Sequence, residues 1–120
     1  MANTRWKDIY LHLKTKGYEV YGPDQKQGLC LNKYVVVKTR EIVNTNIVSS
    51  EAAYYDILLY VPKYNFSMVE EFAEEIKEAM DEMFPMIRPA HSQTEPFYDS
   101  SVEAYMTSIL YINYRKSRRR

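Results

Sequence analysis

Apolar residues near the start of the chain recur with the spacing of an α-helix. Four of them fall at positions i, i+3, i+4 and i+7, on one helical face: Trp6, Ile9, Tyr10 and Leu13. This pattern predicts a helix over residues 4–16. Asn3 or Thr4 is suited to cap its start, and Gly17 is suited to the left-handed position that follows a helix end.

Apolar and β-branched residues without helical spacing predict strands in the first half of the chain. We expect a short strand at residues 18–21, followed by a polar loop over 22–32. Residues 33–40 contain the run Tyr-Val-Val-Val and predict a second strand. Residues 41–51 would continue it around a turn at Asn44 and Asn46.

The run YYDILLYV at residues 54–61, ended by Pro62, is the strongest strand candidate. Its apolar residues lie on both faces. A strand of this kind is expected near the centre of a sheet, with a helix covering at least one face.

Residues 68–83 have the clearest helical pattern. An apolar stripe runs along this segment: Val69, Phe72, Ala73, Ile76, Met80 and Met83. Ser67 and Glu70 have the spacing of a capping box, in which the serine side chain would cap the helix start. Most of the remaining helical positions are acidic, and Lys77 is the only positive charge.

The last third of the chain predicts further β structure. A short extended segment is expected at residues 87–90, a polar linker at 91–96 and a long alternating strand at 102–114. One face of that strand would carry Tyr105, Thr107, Ile109 and Tyr111. The order α-β-β-β-α-β-β predicts an α+β fold with two main helices packed on a mostly antiparallel β-sheet.

Charge is unevenly distributed along the 120 residues, a length typical of one domain. The formal net charge is zero, but residues 115–120 hold five positive charges, whereas residues 1–114 hold 11 basic and 16 acidic side chains. We predict a single globular domain over 1–114 and a basic, mobile tail over 115–120. The single cysteine excludes an internal disulfide, and the lack of a long apolar run favours an intracellular protein without a membrane span.

Candidate catalytic and metal-binding groups are few. Neither His12 nor His91 has a further ligand at the spacing of a metal site, and Cys30 suits a buried small apolar side chain better than a reactive thiol. The chain has no nucleophile elbow, phosphate-binding glycine loop or dinucleotide motif. We therefore expect no metal, no cofactor and no enzymatic activity.

Like charges repeat at i, i+4 along the second helix, which costs a few tenths of a kcal/mol for each pair on an isolated helix. The glutamates concerned include Glu71, Glu74, Glu75 and Glu78. Two interpretations remain open. The acidic positions form either a solvated outer face or a surface that docks against a basic patch on a partner or on a neighbouring copy.

Tyrosines and the basic tail are further candidates for an interface. Tyr105 and Tyr111 belong to a set of twelve tyrosines, and such rings suit either packing within a sheet or contact with a protein. The basic residues of the tail would be attracted to phosphates or to an acidic protein surface, including the acidic helix of the next copy in an oligomer. They are Arg115, Lys116, Arg118, Arg119 and Arg120.

Four segments in order resemble the tail-completion or tail-terminator proteins of long-tailed bacteriophages. They are the opening helix WKDIYLHLK followed by Gly17, the strand YYDILLYVP, the helix SMVEEFAEEIKEAM, and the strand YMTSILYINYRK after the loop FYDSSVEAY. The resemblance is one of element order, length and texture, and it covers nearly the whole chain. The basic tail departs from the family pattern.

The resemblance implies a structural protein of the virion tail or neck, assembled in the host bacterial cytoplasm. It would form a ring, usually a hexamer, that ends the tail tube and joins it to the head. Its partners would be further copies of itself, the tail tube protein and a head-completion or connector protein, with no membrane involved. Two alternatives remain open: another phage neck, minor capsid or head-closure protein, or a small nucleic-acid- or protein-binding module acting through the basic tail. Nucleic acid is less favoured, because few basic residues are interleaved with the aromatic ones.

Overall fold

The computed structural model describes residues 5–23, 25, 28–45 and 50–116. Within them the order of elements is α1 (Trp6–Thr15), β1 (Val20–Tyr21), β2 (Tyr34–Asn44), β3 (Ser50–Pro62), a 3-10 helix (Lys63–Asn65), α2 (Met68–Asp81), β4 (Arg88–Gln93), β5 (Phe97–Asp99) and β6 (Ala104–Lys116). The predicted α+β fold with a mostly antiparallel sheet is confirmed.

The strands form one sheet in the order β1-β2-β3-β6-β4, and β5 pairs with β6 beside β4. Only the β1–β2 pairing is parallel. β3 pairs with β2 on one side and β6 on the other, as the apolar run at 54–61 predicts. The β3–β6 register extends from Ser50 opposite Lys116 to Pro62 opposite Ala104.

This register gives the molecule two distant ends. Twelve residue steps along a strand correspond to about 40 Å at ~3.3 Å per residue. The molecule as a whole measures 49 × 25 × 24 Å. We call the end near Ser50 and Lys116 the far end, and the end near Pro62 and Ala104 the aromatic end.

Both helices pack on the same face of the sheet. Alternation along β3 places Tyr55, Ile57, Leu59 and Val61 on that face, and all four are buried in the main core. The helices contribute their predicted apolar stripes to this core: Ile9 and Leu13 from α1, and Val69, Phe72, Ala73, Ile76 and Met80 from α2. The helices are thereby fixed with their polar sides facing solvent.

The opposite face of the sheet has a smaller core at the aromatic end. Cys30, Tyr34, Val36 and Ala104 are buried together there. The loop before β2 is held over this face, because the Cys30 amide donates a hydrogen bond of 2.8 Å to the Val102 carbonyl. This placement agrees with the apolar interpretation of Cys30.

β2 and β3 extend past the helices at the far end. The first four residues of β2 are buried, whereas Lys38–Asn44 are all exposed. A bulge at Arg40, between Thr39 and Glu41, shifts the register with β3. Continuation of the strand into residues 41–51 is confirmed for the described part, while Asn46, Ile47 and Val48 lie outside the described residues.

The helix starts differ from those predicted. α1 begins at Trp6, and the Asp8 carboxylate accepts a hydrogen bond of 2.9 Å from the Arg5 amide; Asn3 and Thr4 lie outside the described residues. The predicted capping box of α2 is wrong. Ser67 has helical backbone angles and its side chain caps nothing, because a 3-10 helix leads into α2 and the Val69 amide bonds to the Phe66 carbonyl.

Several predicted boundaries move. α2 ends at Asp81 and not at residue 83. The segment predicted as a polar linker at 91–96 lies partly in β4, and β5 was not predicted. Gly17 does take a left-handed conformation, with φ of 96°, where α1 ends.

Candidate interaction surfaces

The outer side of α2 forms a surface that we call the acidic helix surface. Its members are exposed and lie opposite the stripe that α2 buries: Glu70, Glu71, Glu74, Glu75 and Glu78. The sequence analysis identifies four of these glutamates. Glu70 was assigned to a capping box, but without that box its carboxylate joins the same surface.

Few cations neutralise this surface. Glu75 accepts a hydrogen bond from the Tyr18 hydroxyl at 3.2 Å and lies 3.5 Å from the Lys33 ammonium group. Lys77 reaches Glu74 at 3.7 Å, a separation typical of a weak surface pair. Among the described residues, no ion pair involves Glu70, Glu71 or Glu78. A cationic partner would therefore relieve repulsion between neighbouring carboxylates.

A groove of about 520 Å³ separates the C-terminal half of α2 from β4. Glu78 and Asp81 line one wall, and His91 and Gln93 line the other. His91 has a φ of 57° and lies within the register shift between Pro89 and Gln93. The groove continues the acidic helix surface to the edge of the sheet.

The aromatic end carries a cluster of five partly or largely exposed rings: Tyr64, Phe66, Phe97, Tyr98 and Tyr105. Tyr105 is in the middle of this aromatic cluster. Its ring centroid lies 4.7 Å from that of Phe66 and 5.4 Å from that of Tyr98, both in edge-to-face arrangements. Sequence patterns identify Tyr105 alone, because the other four rings come from the 3-10 helix region and from β5, which have no regular spacing.

Tyr111 does not contribute to an exposed surface. It lies on the same face of β6 as Tyr105, as the alternation predicts, but it is only 2% exposed and belongs to the main core. Burial raises the pKa of its hydroxyl, and the charge of Asp81 acts in the same direction. We therefore withdraw Tyr111 from the candidate interface.

The far end combines exposed apolar side chains with basic ones. Val43 and Tyr114 belong to one row across the sheet, since both strands pair there with Ala52 of β3. Ile42 and Arg115 line a cleft of about 370 Å³ on the helix-bearing face. Ile42, Val43 and Tyr114 are all exposed.

The predicted boundary between the domain and its basic tail is wrong. β6 runs through Lys116, and the Arg115 guanidinium is bonded to the Glu51 carboxylate at 2.8 Å. Arg115 and Lys116 are thus part of the sheet. Arg118, Arg119 and Arg120 lie outside the described residues, and they follow directly from the end of β6.

The remaining titratable residues have structural surroundings. His12 Nε2 lies 2.7 Å from the Ala79 carbonyl oxygen and so links α1 to α2. The described residues include no cluster of three or more His, Cys, Asp or Glu side chains able to hold a metal ion. Among the described helices, none has the length and apolarity needed to cross a membrane.

Comparison with known proteins does not assign the chain to a family. No family model matches it, and no curated protein is significantly similar to it. The resemblance to tail-terminator proteins thus rests on the order and texture of its elements, and function has to be argued from the surfaces described above.

Proposed function

We propose that this chain is the subunit of a ring that terminates the tail tube of a long-tailed phage or prophage and joins it to the head. The observation that carries the proposal is the separation of charge along the molecule. α2 starts beside Pro62 and presents unpaired carboxylates, whereas β6 ends about 40 Å away in a basic sequence.

Separated charges of this kind favour contacts between unlike surfaces of neighbouring copies. A heterologous contact repeats from copy to copy, and it closes into a ring when the rotation per copy allows. The acidic helix surface of one subunit would lie near the basic end of the next. The order of elements on which the resemblance rests gives independent support.

The mechanism we propose is assembly control by surface complementarity. One face of the ring would bind the growing end of the tube and stop its polymerisation, and the other would bind a head-completion or connector protein. The protein would work in the virion tail or neck after assembly in the bacterial cytoplasm. It would act without a cofactor and without catalysing a reaction.

Sedimentation velocity over a wide concentration range, at low and high salt and with and without magnesium, tests the proposal. We expect a discrete species near six chains, or another closed ring that negative-stain electron microscopy would resolve as an annulus. A monomer under all of these conditions would overturn a constitutive ring. Copurification with a portal-type protein and not with a tube protein would indicate a head-closure role instead.

A further inference from the structure

The aromatic cluster is a larger exposed apolar feature than a monomer of this size needs. Tyr64 is 87% exposed and Phe66 is 53% exposed, and Met68, Phe97 and Tyr98 are also exposed beside them. Contiguous apolar patches on soluble proteins mark interaction sites, and aromatic residues are enriched in the centres of such interfaces.

The cluster is held in place by its own contacts. Tyr105 is fixed on β6 opposite Val61, and its ring supports those of Phe66 and Tyr98. The turn between β5 and β6 is closed by hydrogen bonds from the Ser101 amide and hydroxyl to the Asp99 carboxylate, at 3.0 and 2.6 Å. A surface ordered in advance loses little conformational entropy when a partner binds.

An ion pair strengthens the same region. The Lys63 ammonium group binds the Glu103 carboxylate and thereby connects the 3-10 helix to the residues before β6. Lys63 also lies over the Tyr64 ring, 5.1 Å from its centroid. The positive charge nearest to the exposed ring is consequently already paired, and the local excess charge is negative.

Charge identifies the kind of partner that fits. Glu70 and Glu71 lie in the first turn of α2, directly after Phe66 and Met68, and no ion pair with either is present among the described residues. A complementary surface would be apolar with a basic border. The far end of the same molecule has that composition: exposed Ile42, Val43 and Tyr114 beside the basic sequence that starts at Arg115.

One molecule cannot bring these two surfaces together. They lie at opposite ends of β3 and β6, about 40 Å apart, on strands paired along their whole length. We infer that the far end of one copy docks on the aromatic cluster of the next copy, in a head-to-tail contact. This inference rests on the proposed function, because such a contact is what would build the ring.

Disulfide trapping between two single variants tests the contact. Tyr64→Cys places a thiol on the aromatic cluster, and Tyr114→Cys places one on the far end. Wild type and each variant alone, which all keep the buried Cys30, serve as oxidation controls. Leu11→Cys is the matched control, since Leu11 is an exposed apolar residue of α1 outside both surfaces. Labelling one variant with nitrogen-15 lets mass spectrometry distinguish mixed dimers from dimers of one variant.

We expect the mixture of Tyr64→Cys and Tyr114→Cys to yield mixed disulfide dimers at least tenfold more abundant than those in mixtures with Leu11→Cys. Mixed dimers no more abundant than in the control would overturn the inference. Dimers formed mainly by Tyr64→Cys with itself would also overturn it, because they would show a symmetric contact.

Sedimentation of the wild type separates the two failures. A wild-type ring with no selective cross-link would leave the proposed function standing and would overturn the docking site. A selective cross-link with a wild type that forms open filaments would support the docking site and overturn the ring.

Discussion

The Arg115 guanidinium donates a hydrogen bond to the Glu51 carboxylate over 2.8 Å, which joins β6 to β3 at the far end of the sheet. The two side chains are 13% and 15% exposed. Arg115 also lies 3.4 Å from the Tyr55 hydroxyl. Because both charges are largely removed from water, loss of either one leaves the other poorly solvated.

Glu51→Gln should lower the free energy of unfolding by about 2 kcal/mol, somewhat less than is typical of a fully buried pair. Urea denaturation followed by circular dichroism measures this change. The matched control is Glu74→Gln, which removes the weak, exposed pair with Lys77 and should cost under ~0.5 kcal/mol. Equal effects of the two variants would contradict a structural role for the Arg115 pair.

Deletion of residues 117–120 removes three arginines while leaving β6 and the Arg115 pair intact. We expect an unchanged midpoint of thermal unfolding and a self-association constant that is weaker at low salt and less dependent on salt concentration. Sedimentation velocity at several salt concentrations measures both properties of association.

Replacement of Arg118, Arg119 and Arg120 by glutamine keeps the chain length and is the control for the deletion. If the charges matter, this variant should behave like the deletion. An unchanged salt dependence in both variants would exclude a role of the tail in self-association.

Burial of tyrosine hydroxyls predicts loss of stability at alkaline pH. Burial raises the pKa of Tyr111 above its ordinary value of 10.0, and it is also the largest cause of the raised pKa values of Tyr34, Tyr55 and Tyr60. The folded state keeps these protons to a higher pH than the unfolded state does. Their contribution is therefore constant below about pH 10 and is lost as the pH rises from there towards the folded-state pKa.

Tyr111→Phe removes one of these groups. Above pH 10 the variant should lose stability less steeply than wild type, by up to about 1.4 kcal/mol per pH unit. Urea unfolding between pH 9 and 11 measures the slopes. Tyr64→Phe, at an exposed ring, should keep the wild-type slope, and a Tyr111→Phe slope equal to that of wild type would show that the Tyr111 hydroxyl is not desolvated.

The two sides of α2 should respond differently to truncation. Ile76 is fully buried in the core, so Ile76→Ala should lower the free energy of unfolding by about 3 kcal/mol through lost burial and a cavity. Glu78→Ala, two positions away on the acidic helix surface, should change it by less than ~0.5 kcal/mol. Chemical denaturation of both variants checks the difference, and a large effect of Glu78→Ala would show that its carboxylate stabilises the fold itself.

Local sequence patterns carry most of the information about which elements form and in what order. The apolar stripe of α2 and the apolar run of β3 are regular enough to predict a buried helix side and a central strand, and both are found. The glutamates of α2 are correctly expected to face solvent, because a helix that buries one side must expose the other.

Side-chain exposure in the sheet depends instead on what covers each position. Tyr105 and Tyr111 have the same orientation on β6, yet Tyr111 is enclosed in the main core while Tyr105 stays partly exposed among aromatic rings from β5 and the region around Phe66. No spacing in the sequence distinguishes the two tyrosines, since the residues that surround each one come from distant segments of the chain.

Sequence by itself thus determined the α+β order, the buried stripes and the acidic side of α2, all of which follow from the periodicity of helices and strands. Tertiary structure alone decided that Ser67 does not cap α2, that Arg115 is paired in the sheet and that an aromatic cluster forms at one end. The physical reason is that these features depend on contacts between segments far apart in sequence, such as Glu51 with Arg115, or on the path by which the chain enters a helix.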